Sequence, residues 1–242
     1  MARIDPDNQE TWPPEVAEFV RRAAGAVRGT VRHTSDLYAH EGEERFLQVL
    51  RGSTIRAYHC TRLLEHELAG IRAHGLRRLT AELVRERIDK ALACKAITPA
   101  EAEQFRKGHA FALGEERDRE GRVCLFSNRQ TMDEAHSVED LLGIWGGEAI
   151  YSHVGTEWEP RLKKLGRPAV VAVDLDVNQP PQGDKEHYVA PGVLAGFIGV
   201  ELGLEDPGFE IHFMGDIPAT QVADIWTPGH PEYDRHRDLP RR

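Results

Sequence analysis

Thr54-Ile55-Arg56-Ala57-Tyr58-His59 alternates along the chain and is rich in β-favouring residues, so it reads as a strand that ends at Cys60-Thr61-Arg62. Immediately after it, Leu64, Leu68 and Ile71 recur at helical spacing within Leu63 to His74, and Gly75 is a natural helix terminator. Working downstream, Thr80 is an N-cap for a polar helical region from Ala81 to Leu113. That region is broken near Ile97, where Thr98 and Pro99 supply a second N-cap and first turn. Val123 to Ser127 is a short strand. Ser137 to Leu142 restarts a helix that runs into Trp145-Gly146-Gly147-Glu148-Ala149-Ile150-Tyr151. Pro168 to Val177 is the clearest strand, and Phe209 to Phe213 is another, followed by Gly215-Asp216-Ile217-Pro218 and a short helix from Ala219 to Ile225.

Upstream, Thr11-Trp12-Pro13-Pro14-Glu15 is a helix entry. Val16, Phe19, Val20 and Ala23 form its apolar stripe, which Gly25, Gly29 and Thr30 interrupt. A second helix covers Glu43 to Leu50. Strands and helices interleave unevenly, without a βαβ rhythm, which predicts an α+β fold rather than a doubly wound sheet. The expected division is an N-terminal helical extension over 1–50, one main domain over 51–227, and a loose charged tail over 228–242.

The chain has 242 residues, with 40 Asp plus Glu against 31 Lys plus Arg, for a formal net charge of -9. Hydrophobic residues make up 40% and charged residues 29%, enough to close a core and stay in solution. The acidic balance mildly disfavours a nucleic-acid or anionic-membrane partner, because phosphate binding needs a basic face. The longest apolar runs, Pro168 to Val173 and Gly192 to Val200, fall far short of the roughly 20 residues of a membrane helix. Met1 to Gln9 is polar and acidic, unlike a signal peptide, so the expected location is cytoplasmic. Cys60, Cys94 and Cys124 are odd in number and widely spaced, which matches neither a disulfide framework nor a zinc ribbon.

Several motifs fail on spacing. His66-Glu67 suggests a metalloprotease helix, but the next histidine, His74, comes eight residues after His66 instead of four, and metal catalysis is rejected. Gly146-Gly147 lacks the phosphate-loop spacing and its lysine, and neither a Gly-x-Gly-x-x-Gly nor a Gly-x-Ser-x-Gly occurs. The charge run Glu115 to Arg119 reads as a solvated loop.

The strand ending Tyr58-His59-Cys60-Thr61-Arg62, with its following helix and Gly75-Leu76, resembles the first motif of the ADP-ribosyltransferase superfamily, a His-Gly-Thr or His-Tyr-Thr after an aromatic residue. Val123 to Ser127 is similar to the family's second strand. Gly166-Arg167-Pro168-Ala169-Val170-Val171 is similar to a strand of its bacterial toxin-type members. Phe209-Glu210-Ile211-His212-Phe213 with Ile217-Pro218 is similar to the last catalytic strand. The resemblance spans roughly residues 51 to 227.

It implies a split, mixed or antiparallel sheet with helical insertions, NAD as the substrate, and transfer of ADP-ribose to an acceptor with release of nicotinamide. NAD hydrolysis, or binding of ADP-ribose or a partner without turnover, are the alternatives. The acceptor stays open among protein, nucleic acid and small molecule. By this resemblance Glu210 stabilises the oxocarbenium-like ribosyl cation and His59 holds a ribose hydroxyl. Tyr58, Cys60, Thr61 and Arg62 would contact NAD around His59, with Arg62 on the pyrophosphate. Phe126, Ser127, Trp145, Gly146 and Tyr151 would surround the nicotinamide, with Trp145, Tyr151 and Phe126 competing to stack on it. Glu148, where Gly146 and Gly147 let the backbone approach a ligand closely, is the rival for the catalytic carboxylate or else contacts the acceptor. Taken without the resemblance, Glu210 is a strand glutamate facing solvent.

Overall fold

Ser53–Leu63 is a strand long enough to serve three neighbours, and the architecture follows from how they share it. In the computed structural model, residues 2–32, 34–37, 42–115, 119–132, 135–182, 190–204 and 210–241 are described. Six strands, β1 (Ala2–Ile4), β2 (Ser53–Leu63), β3 (Val123–Phe126), β4 (Arg167–Leu175), β5 (Glu210–Phe213) and β6 (Val222–Trp226), form one sheet in the order β5-β3-β2-β4-β6, with β1 beside the start of β2. Every pairing is antiparallel except β1 with β2. Helices α1 (Pro14–Val27) and α2 (Glu43–Val49) precede β2. Between β2 and β3 lie α3 (Glu65–His74), α4 (Ala81–Ala93), α5 (Pro99–Gly108) and α6 (Ala110–Leu113). Then α7 (Ala135–Gly143), α8 (Glu148–Tyr151) and α9 (Glu159–Leu162) lead to β4, α10 (Ala190–Leu202) lies between β4 and β5, and α11 (Pro231–Asp234) follows β6. The chain is α+β, as the uneven interleaving predicts.

Strand alternation sends Ile55, Ala57, Leu125, Val171, Val173 and Ile211 to one face, against α1, α2 and α10. The run around Gly192 to Val200 is α10, apolar around its circumference and buried between the sheet and the first two helices, as such a helix must be. Among the described residues no helix is long and apolar enough to cross a membrane. Described residues ahead of β2 are built into this core: β1 joins the sheet and Trp12 packs on Phe197 with ring centroids 4.7 Å apart.

The opposite face carries Tyr58, Cys60, Val170, Ala172 and Trp226 under α7 and the C-terminal segment. Residues beyond 228 were expected to be loose. Instead Tyr233 of α11 is fully buried, and its hydroxyl donates to the Pro240 carbonyl at 2.6 Å. A third cluster, including Val84, Ile88, Phe105, Trp145, Ile150 and Leu162, contains no strand residue and forms a helical lobe of its own. Two further expectations change. Ala219 to Ile225 is a single 3-10 turn followed by β6, because pairing with β4 outweighs local helical preference. The helix expected to continue through Trp145 ends at Gly143, and the link to α8 turns at Gly146 and Gly147, whose φ values of +109° and +66° suit glycine.

One arginine fastens the second face. Arg129 donates from Nε to the Tyr58 hydroxyl at 2.8 Å and from its guanidinium to Asp5 at 2.9 Å and Glu232 at 3.2 Å. Its backbone N–H reaches both Asp7 carboxylate oxygens. Burial, with the neighbouring Asp5 charge, lifts the Asp7 carboxyl from its ordinary 3.8 to about 6, against the opposing hydrogen bond and charge of Arg129. A carboxyl raised in the fold holds its proton there while the unfolded chain has lost it. This contribution to stability is therefore fully present below 3.8 and is lost as pH rises from there through about 6. Asp7→Asn keeps the acceptor oxygen and should flatten that component, which is about 3 kcal/mol in full and of which about half, roughly 1.4 kcal/mol, falls between pH 5 and pH 8. Urea unfolding at pH 5 and pH 8 checks it; a variant whose stability difference between the two equals that of the wild type overturns the assignment.

Candidate functional site

β2 and β3 part company. β2 stays paired with β4 from Ile55↔Leu175 to Leu63↔Arg167, and β3 with β5 over its whole length, but β2 and β3 meet only at Tyr58↔Phe126. Beyond that pair the gap is bridged by the His59 ring, whose Nδ1 lies 2.8 Å from the Cys124 carbonyl oxygen. A carbonyl only accepts, so Nδ1 carries the hydrogen and Nε2 is left as an acceptor. Burial, reinforced by the Arg87 charge, holds the His59 pKa below its ordinary value, against the Cys124 hydrogen bond, so the ring is neutral.

Two adjoining cavities open here, sharing His59, Thr61, Leu76, Arg77, Leu83 and Arg87. One extends along α3 past Glu67, Ile71 and Gly75. The other extends over β3 and β5, past Phe126, Gly146, Glu148 and Glu210. The cavity therefore unites His59, Cys60, Thr61, Phe126, Gly146, Glu148 and Glu210 of the residues expected from sequence.

The two glutamates sit in different electrostatic settings. Glu210 Oε2 lies 3.1 Å from His212 Nε2, and His212 Nδ1 lies 2.8 Å from Arg122 Nη1. A guanidinium only donates, so Nδ1 accepts and the imidazole hydrogen is on Nε2, which lies at ion-pair distance from the carboxylate without hydrogen-bond alignment. The adjacent His212 ring is the main cause that holds Glu210 below the usual carboxylate range, against partial burial. Glu148 is raised, first by burial, then by the nearby Glu210 charge, although it pairs with Arg119. Two carboxylates in one cavity are pushed in opposite directions, the pattern that separates an ionised group from one that exchanges a proton.

The two outlying sequence motifs meet at the cavity's rim. Leu76 N–H donates to the Ile217 carbonyl at 2.9 Å and Ile217 N–H to the Leu76 carbonyl at 2.8 Å. Gly75 has φ +89°, and a Cβ there would lie 1.9 Å from the Ile217 carbonyl oxygen, so only glycine allows the approach.

Five expected site residues lie elsewhere: Tyr58, Arg62, Ser127, Trp145 and Tyr151 line neither cavity. Tyr58 points to the opposite face, into the Arg129 cluster. Arg62 is buried and donates to three backbone carbonyls, of Leu165 at 2.6 Å, Gly166 at 3.0 Å and Leu142 at 3.3 Å; it ties loops together and does not face a pyrophosphate. Ser127 is buried past the end of β3, and Tyr151 packs on the helical lobe. Trp145 is 0% exposed; its indole donates to Glu67 at 2.9 Å, and Arg87 stacks over its ring at 5.4 Å. Cys60 borders the cavity while packing with the second-face cluster, which pushes its thiol up to about 12 through burial.

The cavity also contains residues that spacing did not single out. Arg87 is held by Glu67 at 2.5 Å and by the Gly146 carbonyl at 3.2 Å, yet its buried Nη2 has no acceptor among the described residues. Arg122 Nε is buried in the same condition. Arg119 belongs to the run read as a solvated loop, and it lines the cavity. His212 was legible in principle, because two residues along a strand share a face, and Glu210 was already singled out.

No family model, curated protein or solved structure matches the chain.

The burial of Trp145 changes what its removal should do. Trp145→Ala should cost roughly 3–5 kcal/mol in denaturant unfolding, the range for emptying a core aromatic site. A cost below about 1 kcal/mol would return Trp145 to the cavity wall.

Proposed function

We propose that the protein transfers ADP-ribose from NAD to an acceptor, releasing nicotinamide, on an ADP-ribosyltransferase type of split-sheet core. The observation that carries this reading is the meeting of His59 and Glu210, from strands far apart in sequence, in one cavity at the parting of β2 from β3. Buried guanidinium N–H groups on Arg87 and Arg122 without acceptors among the described residues favour an anionic ligand such as a pyrophosphate, a role that the carbonyl-bound Arg62 does not fill.

The chemistry follows from the settings of the residues. His59 Nε2 accepts a ribose hydroxyl hydrogen. As the bond from ribose C1′ to the nicotinamide nitrogen breaks, its electron pair leaves with nicotinamide and positive charge grows on the ribose. Glu210, kept ionised by His212, stabilises that charge more in the transition state than in the ground state. The acceptor attacks C1′ and gives up its proton, and Glu148, with its raised pKa, is suited to receive it. Phe126 is the one aromatic candidate that lines the cavity, so it is the ring for nicotinamide.

Glu210→Gln preserves size while removing charge, and should lower turnover about 10²- to 10⁴-fold with NAD affinity little changed. His59→Ala should act mainly on NAD affinity. Nicotinamide release from NAD is the measurement, with and without whole-cell lysate as acceptor source. Release with NAD alone at the same rate identifies a hydrolase, and wild-type turnover in Glu210→Gln overturns the assignment of that residue.

A further inference from the structure

We infer that Cys124, Glu210 and His212 form a binding site for a soft divalent cation of the zinc type, and that its occupancy switches off the chemistry of the cavity. The second half rests on the proposed NAD reaction; the first does not.

The geometry comes from strand register. Cys124 and His212 are directly opposed across the antiparallel pair of β3 and β5, and Glu210, two residues before His212, shares their face. One ligating atom from each of the three lies within 4.8 Å of the others. Zinc bonds of about 2.0–2.3 Å in a tetrahedron set ligand atoms roughly 3.3–3.8 Å apart, so closing on the ion takes side-chain rotation and no shift of the strands. The thiol, imidazole and carboxylate make a three-ligand set with the fourth position open, and Glu210 borders the cavity from which water can complete it. A thiolate donor selects zinc over magnesium or calcium. Pattern reading passes over such a set because its ligands come from two strands, with no short Cys or His spacing between them.

Binding balances as follows. Cys124 releases its thiol proton to solvent, Glu210 binds as the carboxylate it already is, and the His212 hydrogen moves from Nε2 to Nδ1 so that Nε2 meets the ion. Arg122, which now donates to Nδ1, must turn away. Losing that hydrogen bond, beside the positive charge of Arg122 itself, makes the affinity weaker than that of a closed structural site. Once bound, the negative charge of Glu210 is neutralised and cannot stabilise a ribosyl cation.

The test uses the full chain, stripped of metal by a chelator and dialysed. Zinc alone is titrated by calorimetry and cobalt by visible absorption. One cation per chain and a thiolate-to-cobalt charge-transfer band are expected. Cys124→Ser should lose the band and weaken zinc binding about tenfold or more, whereas Cys94→Ser, at an exposed cysteine beside His66, should keep both. No band, a band that survives Cys124→Ser, or one lost in Cys94→Ser overturns the site. Should Cys124→Ser fail to fold, alkylation of the wild type decides: zinc should protect Cys124 while Cys94 keeps reacting, and equal labelling of Cys124 with and without zinc overturns the inference.

Zinc saturation should then lower nicotinamide release about tenfold or more, reversed by chelator. Zinc binding with unchanged release overturns the switch. Zinc binding to a protein that releases no nicotinamide when metal-free leaves the metal site standing and overturns the NAD reading instead.

Discussion

Everything at the site depends on β2 and β3 separating after one residue pair. A sheet that opens in its middle exposes backbone N–H and C=O groups that normally pair, and such a gap closes or unravels unless each side has another source of order. Both sides have one here. β2 is held along its length by β4, and β3 by β5, so neither needs the other. The His59 ring satisfies the Cys124 carbonyl that the missing partner would have bonded, and the side chains of Leu83 and Arg87 from α4 line the wedge. The cavity is thus a consequence of pairing, with a histidine inserted where a ladder hydrogen bond would be.

An opening on one part of the sheet is matched by closure elsewhere, and two partly buried charges supply it. Arg129 draws together the first strand's loop, Tyr58 of β2 and Glu232 of α11, with the Tyr58 and Trp226 rings beneath its guanidinium. Glu67 does the corresponding work on the helical lobe. Its carboxylate accepts from the Leu64 backbone at the start of α3, from Arg87 of α4 and from the Trp145 indole. Burial alone would raise the Glu67 pKa; the charge and hydrogen bonds of Arg87 and the other donors outweigh it, and the group stays ionised. Replacing one partner in either cluster would strand a buried charge, which costs more than the intact pairing contributes.

The parts of the fold readable from sequence are those fixed by local chemistry. Thr80 and Thr98 cap their helices as their side chains predict, accepting from Leu83 and Glu101 backbone N–H groups, and the alternation around Tyr58-His59 is that of β2. Features set by distant partners were not readable. β1 is three residues that gain strand structure only by lying beside Ser53 to Ile55, and β6 looks helical until β4 is there to pair with it. At the site, His59 and Glu210 were legible as strand residues in a resembling order. Trp145 and Arg62 lie away from the cavities, and composition cannot tell a ligand-facing aromatic or arginine from one that finds an indole acceptor or three carbonyls inside the core. Both follow the more general rule, that a buried polar group takes the partner closest to hand.

The charge balance shows the same gap between a sum and a local arrangement. A chain of net charge -9 would be expected to repel an anionic ligand, yet four arginines, Arg77, Arg87, Arg119 and Arg122, line the cavity. Each is already engaged: Arg77 with Glu86, Arg87 with Glu67, Arg119 with Glu148, and Arg122 through His212 with Glu210. The wall is therefore close to neutral, and what it offers an anion is the set of N–H groups left over when those pairs are made, on Arg87 Nη2 and Arg122 Nε. The paired acids have already oriented the guanidinium planes, so only the groups that cover these buried donors must move when a ligand arrives. Net charge governs approach over distances of about a Debye length; inside the cavity, orientation governs binding.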